Sequence, residues 1–287
     1  MIKTAAILNG KEIAAKHLER LSGEISELRR SGKTLTLATL QVGHERDTEL
    51  YAKAIGNLLA KFEIRHAPLN LPYTVHLTDI SKEITRLNKD PQVTGIMIFT
   101  PLPKHLVLRN LQLAVDFSKD VESHRSRTFS QIRSREIMPP TAMAAIALFD
   151  ETGCDATGKE ALVIGRSDIV GKPVALMMLA KNATVTIAHS KTPNLKEHVQ
   201  RADIVIAAVG KPGLVKGDWI KPGAVVIDAG ENVVDEKLVG DVEFEKASAR
   251  ASFISPVPGG VGPVTNVMLV QNLITLETIQ ASLHGNS

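Results

Sequence analysis

Apolar residues recur at helical spacing through residues 12–30, where Ile13, Leu18, Leu21, Ile25 and Leu28 share one face and Gly32 ends the pattern. That spacing predicts an amphipathic helix. A mostly apolar run over 35–42 predicts a strand. Residues 47–62 read as helix, 67–71 as extended chain and 79–89 as a short helix. Gly95-Ile96-Met97-Ile98-Phe99 is a strand of the buried type, stopped by Pro101 and Pro103. The stretch 123–140 breaks the alternation: it is rich in Arg and Ser, lacks a period and ends in Pro139-Pro140, so it reads as a loop and domain junction. A helix follows from about 141 to 152, then strands at 161–164, 184–188, 204–208 and 224–228, and a last helix at 265–283. Strands alternating with helices predict βα units, a mainly parallel sheet and an α/β fold.

Composition narrows the class. A chain of 287 residues can form two domains, each with its own core. Its 44% hydrophobic and 23% charged residues are those of an ordinary globular protein. A net charge of +3, with no long run of one sign, gives no nucleic-acid tail. The single cysteine, Cys154, excludes an intrachain disulfide and a cysteine metal cluster. His44, His66 and His76 are scattered, and no His/Asp/Glu spacing amounts to a metal site. The opening apolar run is too short for a signal peptide, and no stretch approaches the ~18 apolar residues of a membrane span. Cytoplasm, without membrane or nucleic-acid partners, is the expectation. Trp219, ahead of a Lys-Pro-Gly turn, is expected to pack structurally.

The segment 161–173 joins an apolar strand, a glycine-bounded turn and a helix start in Val163-Ile164-Gly165-Arg166-Ser167 and Val170-Gly171-Lys172-Pro173. Gly165 permits a sharp turn off the strand and Gly171 a close backbone approach, with helix amides facing a pyrophosphate. A tight βα turn without ligand is the lesser alternative for this segment taken alone, since the spacing is not Gly-x-Gly-x-x-Gly. The next strand ends in His189-Ser190-Lys191 and lacks the acid that would hold ribose hydroxyls. Arg166, Ser190 and Lys191 suit a 2′-phosphate instead, which favours NADP over NAD. A solvated loop charge is the alternative for Arg166.

These segments, with Asn9-Gly10-Lys11, Asn182-Ala183-Thr184-Val185-Thr186 and Pro256-Val257-Pro258-Gly259-Gly260-Val261-Gly262-Pro263, resemble the bifunctional methylenetetrahydrofolate dehydrogenase/cyclohydrolase family over nearly the whole chain. The resemblance implies a two-domain homodimeric enzyme with a folate cleft between an N-terminal α/β domain and a Rossmann-type NADP-binding domain. It implies domains at 1–139 plus 265–287 and at 140–264. Hydride would pass from the methylene group of a tetrahydrofolate substrate to NADP, and the methenyl product would then be hydrolysed to 10-formyltetrahydrofolate. Cofactor-binding positions would be Gly165, Arg166, Ser167, Val170, Gly171, Ser190, Gly210, Gly230 and Thr265. Substrate would meet Tyr51, Phe99, Glu122, Pro258, Gly259 and Gly260.

Against that family the chain departs at several chemical positions. In the family's Tyr-x-x-x-Lys, the lysine activates water; here Tyr51 is followed four residues on by Ile55. Lys53 is no substitute, lying about 200° around the helix from Tyr51. Phe99 stands where the family has Gln. Lys119-Asp120-Val121-Glu122-Ser123 replaces Lys-Asp-Val-Asp-Gly, so the pterin-holding Asp becomes Glu122. His124, Arg125 and Arg127 replace a Gly/Asn loop; they could hold an anionic glutamyl tail or simply be solvated. Pro139-Pro140-Thr141-Ala142 stands for Pro-Cys-Thr-Pro. Asp228-Ala229-Gly230-Glu231-Asn232 stands for Asp-Val-Gly-Ile-Asn, making Glu231 a new catalytic acid or base, or a surface carboxylate. The candidate catalytic residues are Tyr51, Glu122 and Glu231. Hydride transfer needs orientation more than acid–base help, whereas hydrolysis needs an activated water. The expectation is an NADP-dependent dehydrogenase of one-carbon metabolism that has lost its cyclohydrolase. An inactive NADP- or folate-binding paralogue and an enzyme recruited to another substrate remain open.

Overall fold

The computed structural model describes residues 4–124 and 137–284. The chain divides into two compact units. One holds the described residues up to His17 and Met138–Met268; the other runs from Leu18 and is rejoined by the chain after Met268.

The second of these units is built on a three-stranded parallel sheet, in the order β3(Arg65–Leu71), β2(Thr36–Val42), β4(Gly95–Ile98). Every residue of β2 is buried, as expected for the central strand of a parallel sheet covered on both faces. β3 is the edge strand and shows exposed and half-buried positions. Its helices are α2(Arg46–Lys61), α3(Leu77–Lys89) and α4(Leu108–Ala114), together with the later parts of α1(Gly10–Arg30) and of the C-terminal helix. Ile80, Ile84 and Leu87 of α3, one turn apart, pack on Ala38, Leu40, Ile96 and Ile98 of the sheet. On the C-terminal helix, the Asn272 side chain donates to the Val121 carbonyl at 2.8 Å, and Gln280 donates to the carbonyls of Thr94 and Ser118.

The other unit carries a six-stranded, fully parallel sheet in the order β1(Ala6–Ile7), β11(Phe253–Ile254), β8(Val225–Asp228), β7(Ile204–Ala207), β5(Glu160–Ile164), β6(Thr184–Ala188). Helices α5(Pro140–Asp150), α6(Gly171–Ala180), α7(Leu195–Arg201) and α8(Phe244–Ser248) connect the strands, and α9(Val261–His284) follows them. A hairpin, β9(Asn232–Val234) and β10(Lys237–Val239), projects after β8. The core is aliphatic, with Leu162, Ile164, Val205, Ala207, Val226 and Ile254 inside and Trp219 packed against it, the structural role expected of that residue.

The α/β fold is the one the sequence predicts, while the domain limits differ. Residues before Leu18 were expected with the N-terminal unit, but Ala6 pairs with Phe253 and Ile7 with Ile254, which places them in the six-stranded sheet. The C-terminal return begins at 269 rather than 265. Among the described residues no helix is long and apolar enough to cross a membrane.

Candidate functional site

Strand β5 has β6 on one side and β7 on the other, so the chain leaves its C-terminal end in opposite directions on successive crossings. Ligands of open parallel sheets bind at such a switch point. Here it forms a cavity of about 460 Å³, lined by Gly165, Arg166 and Ser167 after β5, by His189, Ser190 and Thr192 after β6, and by Ala208, Val209 and Lys211 after β7. Gly165 has φ +125°, and a Cβ there would stand 2.2 Å from the Ala208 carbonyl oxygen. Only glycine meets both conditions. Gly171 opens α6 so close to Gly165 that a Cβ would lie 2.3 Å from its carbonyl oxygen. The N–H groups of Val170 and Gly171 donate to Ser167 Oγ at 3.2 and 3.3 Å, which ties the turn to the helix start. The loop after β6 is braced likewise: the His189 N–H donates to Thr192 Oγ1 at 2.9 Å and the Lys191 N–H to His189 Nδ1 at 3.1 Å. Arg166 is exposed in this wall beside Ser190. A volume of this size, glycines at the turn, a guanidinium and hydroxyls fit the phosphate-bearing half of NADP.

Behind the loops after β7 and β8 lie two interleaved carboxylates. Asp241, fully buried, accepts N–H bonds from Val209 (2.6 Å), Gly210 (3.1 Å) and Lys211 (2.7 Å), and from the Asn232 amide at 3.0 Å. Asp228 accepts from the N–H groups of Gly230 (2.9 Å), Asp241 (3.1 Å) and Val242 (2.8 Å). Burial pushes the Asp228 carboxyl up to about 6, the adjacent Asp241 adding to the push against those hydrogen bonds. Glycine is required where each carboxylate passes: a Cβ on Gly230 would sit 2.2 Å from Asp241 Cγ, and one on Gly240 would sit 2.0 Å from Asp228 Oδ2. Gly210 (φ +63°) and Gly230 thus shape loops here. Val170, Gly171, Gly210, Gly230 and Thr265 do not line the cavity; Thr265 bonds back to the Val261 carbonyl within α9.

The loop after β11 is clamped to the start of α1. The Gly10 N–H donates to the Gly259 carbonyl at 2.8 Å, and a Cβ on Gly10 would fall 1.8 Å from the Gly260 oxygen. Pro258 and Gly259 line a second cavity of about 480 Å³ with Pro256, Ile7, Asn9, Lys11 and Glu12; Gly260 is buried beneath it. Glu231 is exposed, and its Oε1 lies 2.8 Å from where a Gly262 side chain would begin, over the first turn of α9.

In the three-stranded unit, α2 and β4 bring Tyr51 and Phe99 together edge to face, with ring centroids 5.6 Å apart. Tyr51 is 37% exposed, while Phe99 is buried and Ile55, one turn on from Tyr51, is at 0%. Lys53 is exposed. Glu122, partly buried, receives a backbone hydrogen bond from Ile98, next to Phe99. Burial of its carboxyl pushes the pKa up to about 7; Asp120 adds to this, while His124 and the Ile98 bond oppose it. His124 Nδ1 stands 3.3 Å from Asp120 Oδ1, both buried, after a turn in which Ser123 takes φ +57°. Tyr51 and Phe99 are therefore in contact, and Glu122 is tied to the residue before Phe99; Arg125 and Arg127 lie outside the described residues. Sequence reasoning quoted His189 with Ser190 but did not single out Thr192 and Lys211, although both lie in the loops that follow sheet strands β6 and β7. Nor did it single out Asp241, for which the bare sequence carries no signal.

Residues 8–122 match the family described as tetrahydrofolate dehydrogenase/cyclohydrolase, catalytic domain, and residues 139–281 match its NAD(P)-binding domain. The chain is 42% identical to the "Bifunctional protein FolD" of Acetivibrio thermocellus over 97% of this chain and 99% of that one. It is 44% identical to "Bifunctional protein FolD 2" of Geobacter metallireducens, over 98% and 99%. Among solved structures it resembles the bifunctional FolD of Campylobacter jejuni (TM-score 0.92, 32% identity, 96% of this chain and 99% of that). It also resembles the Trypanosoma brucei FolD complexed with NADP cofactor and inhibitor (TM-score 0.90, 35% identity, 97% and 99%).

Proposed function

The chain belongs to the tetrahydrofolate dehydrogenase/cyclohydrolase family, and from that premise we propose that it is an NADP-dependent 5,10-methylenetetrahydrofolate dehydrogenase that has lost the cyclohydrolase step. When bound, NADP supplies the hydride acceptor. The choice of NADP is supported by Arg166 and Ser190 in one cavity wall, and by the T. brucei relative's complex with that cofactor. A guanidinium engages phosphate oxygens bidentately, and no acid stands at the end of β6 to favour free ribose hydroxyls. Gly165 leaves room for the pyrophosphate against the backbone. On the folate side, Tyr51, Phe99 and Glu122 form the wall that meets the pterin, the Glu122 carboxylate accepting its N–H donors.

The observation that carries the loss of hydrolysis is Ile55. It stands, fully buried, at the position of the lysine in the family's Tyr-x-x-x-Lys segment, and the apolar Phe99 replaces the family's glutamine nearby. Positioned acid–base groups contribute roughly 10²–10⁴-fold to such reactions. Oxidation of the methylene carbon needs orientation of donor and acceptor, and so outlasts the loss. The reading carries with it a homodimer working in the cytoplasm, as the family resemblance implies.

Purified protein given methylenetetrahydrofolate and NADP should generate NADPH, while added methenyltetrahydrofolate should decay no faster than in buffer. Enzymatic hydrolysis of the methenyl compound keeping pace with NADPH formation would refute the loss. Absence of NADPH despite measured NADP binding would favour a binding paralogue, which the apolar Ile55 and Phe99 also fit.

A further inference from the structure

A dinucleotide bound at the switch point of a parallel sheet lies across the loops at the sheet's C-terminal edge. Those after β5 and β6, with Arg166, Ser190 and the start of α6, stand on the phosphate and adenosine side of the switch point. The loops after β7 and β8 stand on the other side, where the nicotinamide half must lie. Glu231 is the third residue after β8 and is exposed. Its carboxylate reaches over Gly262 in the first turn of α9, which again begins at the C-terminal edge, following β11. The two acids behind it, Asp228 and Asp241, are buried and saturated with N–H donors, so their charges are spent within the protein. Glu231 enters no ion pair among the described residues.

We propose that Glu231 is a redox-state selector: its negative charge borders the nicotinamide ring and favours the cationic oxidised cofactor over the neutral reduced one. The inference rests on the NADP reading above. The ring carries a positive charge before hydride transfer and none after it, so an adjacent carboxylate strengthens binding of NADP⁺ alone. The reaction generates NADPH, which shares none of that gain, so incoming NADP⁺ competes with the product for the site on better terms.

The test is direct binding, without turnover. NADP⁺ and NADPH are titrated separately into wild type, Glu231→Gln and Glu231→Asp by calorimetry, at low and at raised salt. The preference of wild type for NADP⁺ over NADPH should exceed that of Glu231→Gln by about three- to tenfold at low salt, as for two charges interacting near a surface. It should shrink as salt is added. Glu231→Asp, one methylene shorter, should keep part of the preference, which separates charge from side-chain shape. Equal preferences in wild type and Glu231→Gln, with both cofactor forms bound, overturn the inference and leave the NADP reading standing. Failure of wild type to bind either form overturns both.

Discussion

Replacing Asp241 by Ala removes one acceptor group that serves four donors: the N–H groups of Val209, Gly210 and Lys211 and the Asn232 amide. Hydrogen bonds to a charged group contribute about 1.5–3 kcal/mol each, and a neutral one about 1 kcal/mol. Val209 and Asn232 are half-buried, and Gly210 and Lys211 are exposed, so water can reach part of what is lost. The lower figure therefore applies, and four donors at about 1 kcal/mol give a cost of about 4 kcal/mol. Removing the neighbouring negative charge also relieves Asp228, whose carboxyl Asp241 helps to push up, and offsets a minor part of that cost. The expected net loss is about 3–4 kcal/mol. Urea denaturation followed by Trp219 fluorescence reads it, because the single tryptophan packs against the core of the same unit. A variant within about 0.5 kcal/mol of wild type would refute the account of Asp241 as the organiser of these loops. Gly230→Ala should be far less damaging in the Asp241→Ala background than alone, since the atom it strikes, Asp241 Cγ, is then gone.

Four further outcomes follow from the same geometry. Glu122 is raised to about 7, so it is neutral below that pH and an anion above it, and KM for the folate substrate should rise as pH falls through about 7. His124→Gln removes the cation that lowers the Glu122 pKa, so the KM transition should move to higher pH; an unmoved transition would discount that coupling. Arg166→Gln should weaken NADP binding roughly 10- to 100-fold and leave NAD binding unchanged, measured as Kd for each. Gly10→Ala forces a Cβ to 1.8 Å from the Gly260 carbonyl oxygen, backbone against backbone, and should lower Tm sharply or abolish soluble protein.

The sequence reading succeeded where a segment is long and one of its faces is buried. α3 is such a case: Ile80, Ile84 and Leu87 mark its inner face in the bare sequence. The strands β2 and β5 were legible as apolar runs because both of their faces are covered. It failed where pairing, not patterning, makes the element. β1 and β11 have two residues each, too few to show a period. The β9–β10 hairpin exposes Val233 and Val234, so its hydrophobicity points to no core. The turn at Gly165 could be read because its backbone demand selects glycine. Asp241 could not, since an aspartate after a glycine resembles a surface turn until tertiary structure brings four donors to it. Ile55 and Phe99 are a third kind of case: they are unremarkable apolar residues, informative only beside a family pattern.

The pairing of β1 with β11 also bears on how this unit is assembled. Ala6 and Phe253 lie side by side in the sheet although nearly the whole sequence separates them. Contacts so distant raise the contact order, and the loop-closure entropy must be met before they return any energy. During synthesis β1 leaves the ribosome long before its only neighbour in the sheet exists. It must wait as an unpaired apolar segment while β5, β6, β7 and β8 associate. The last event in closing the six-stranded sheet is then the docking of its earliest strand.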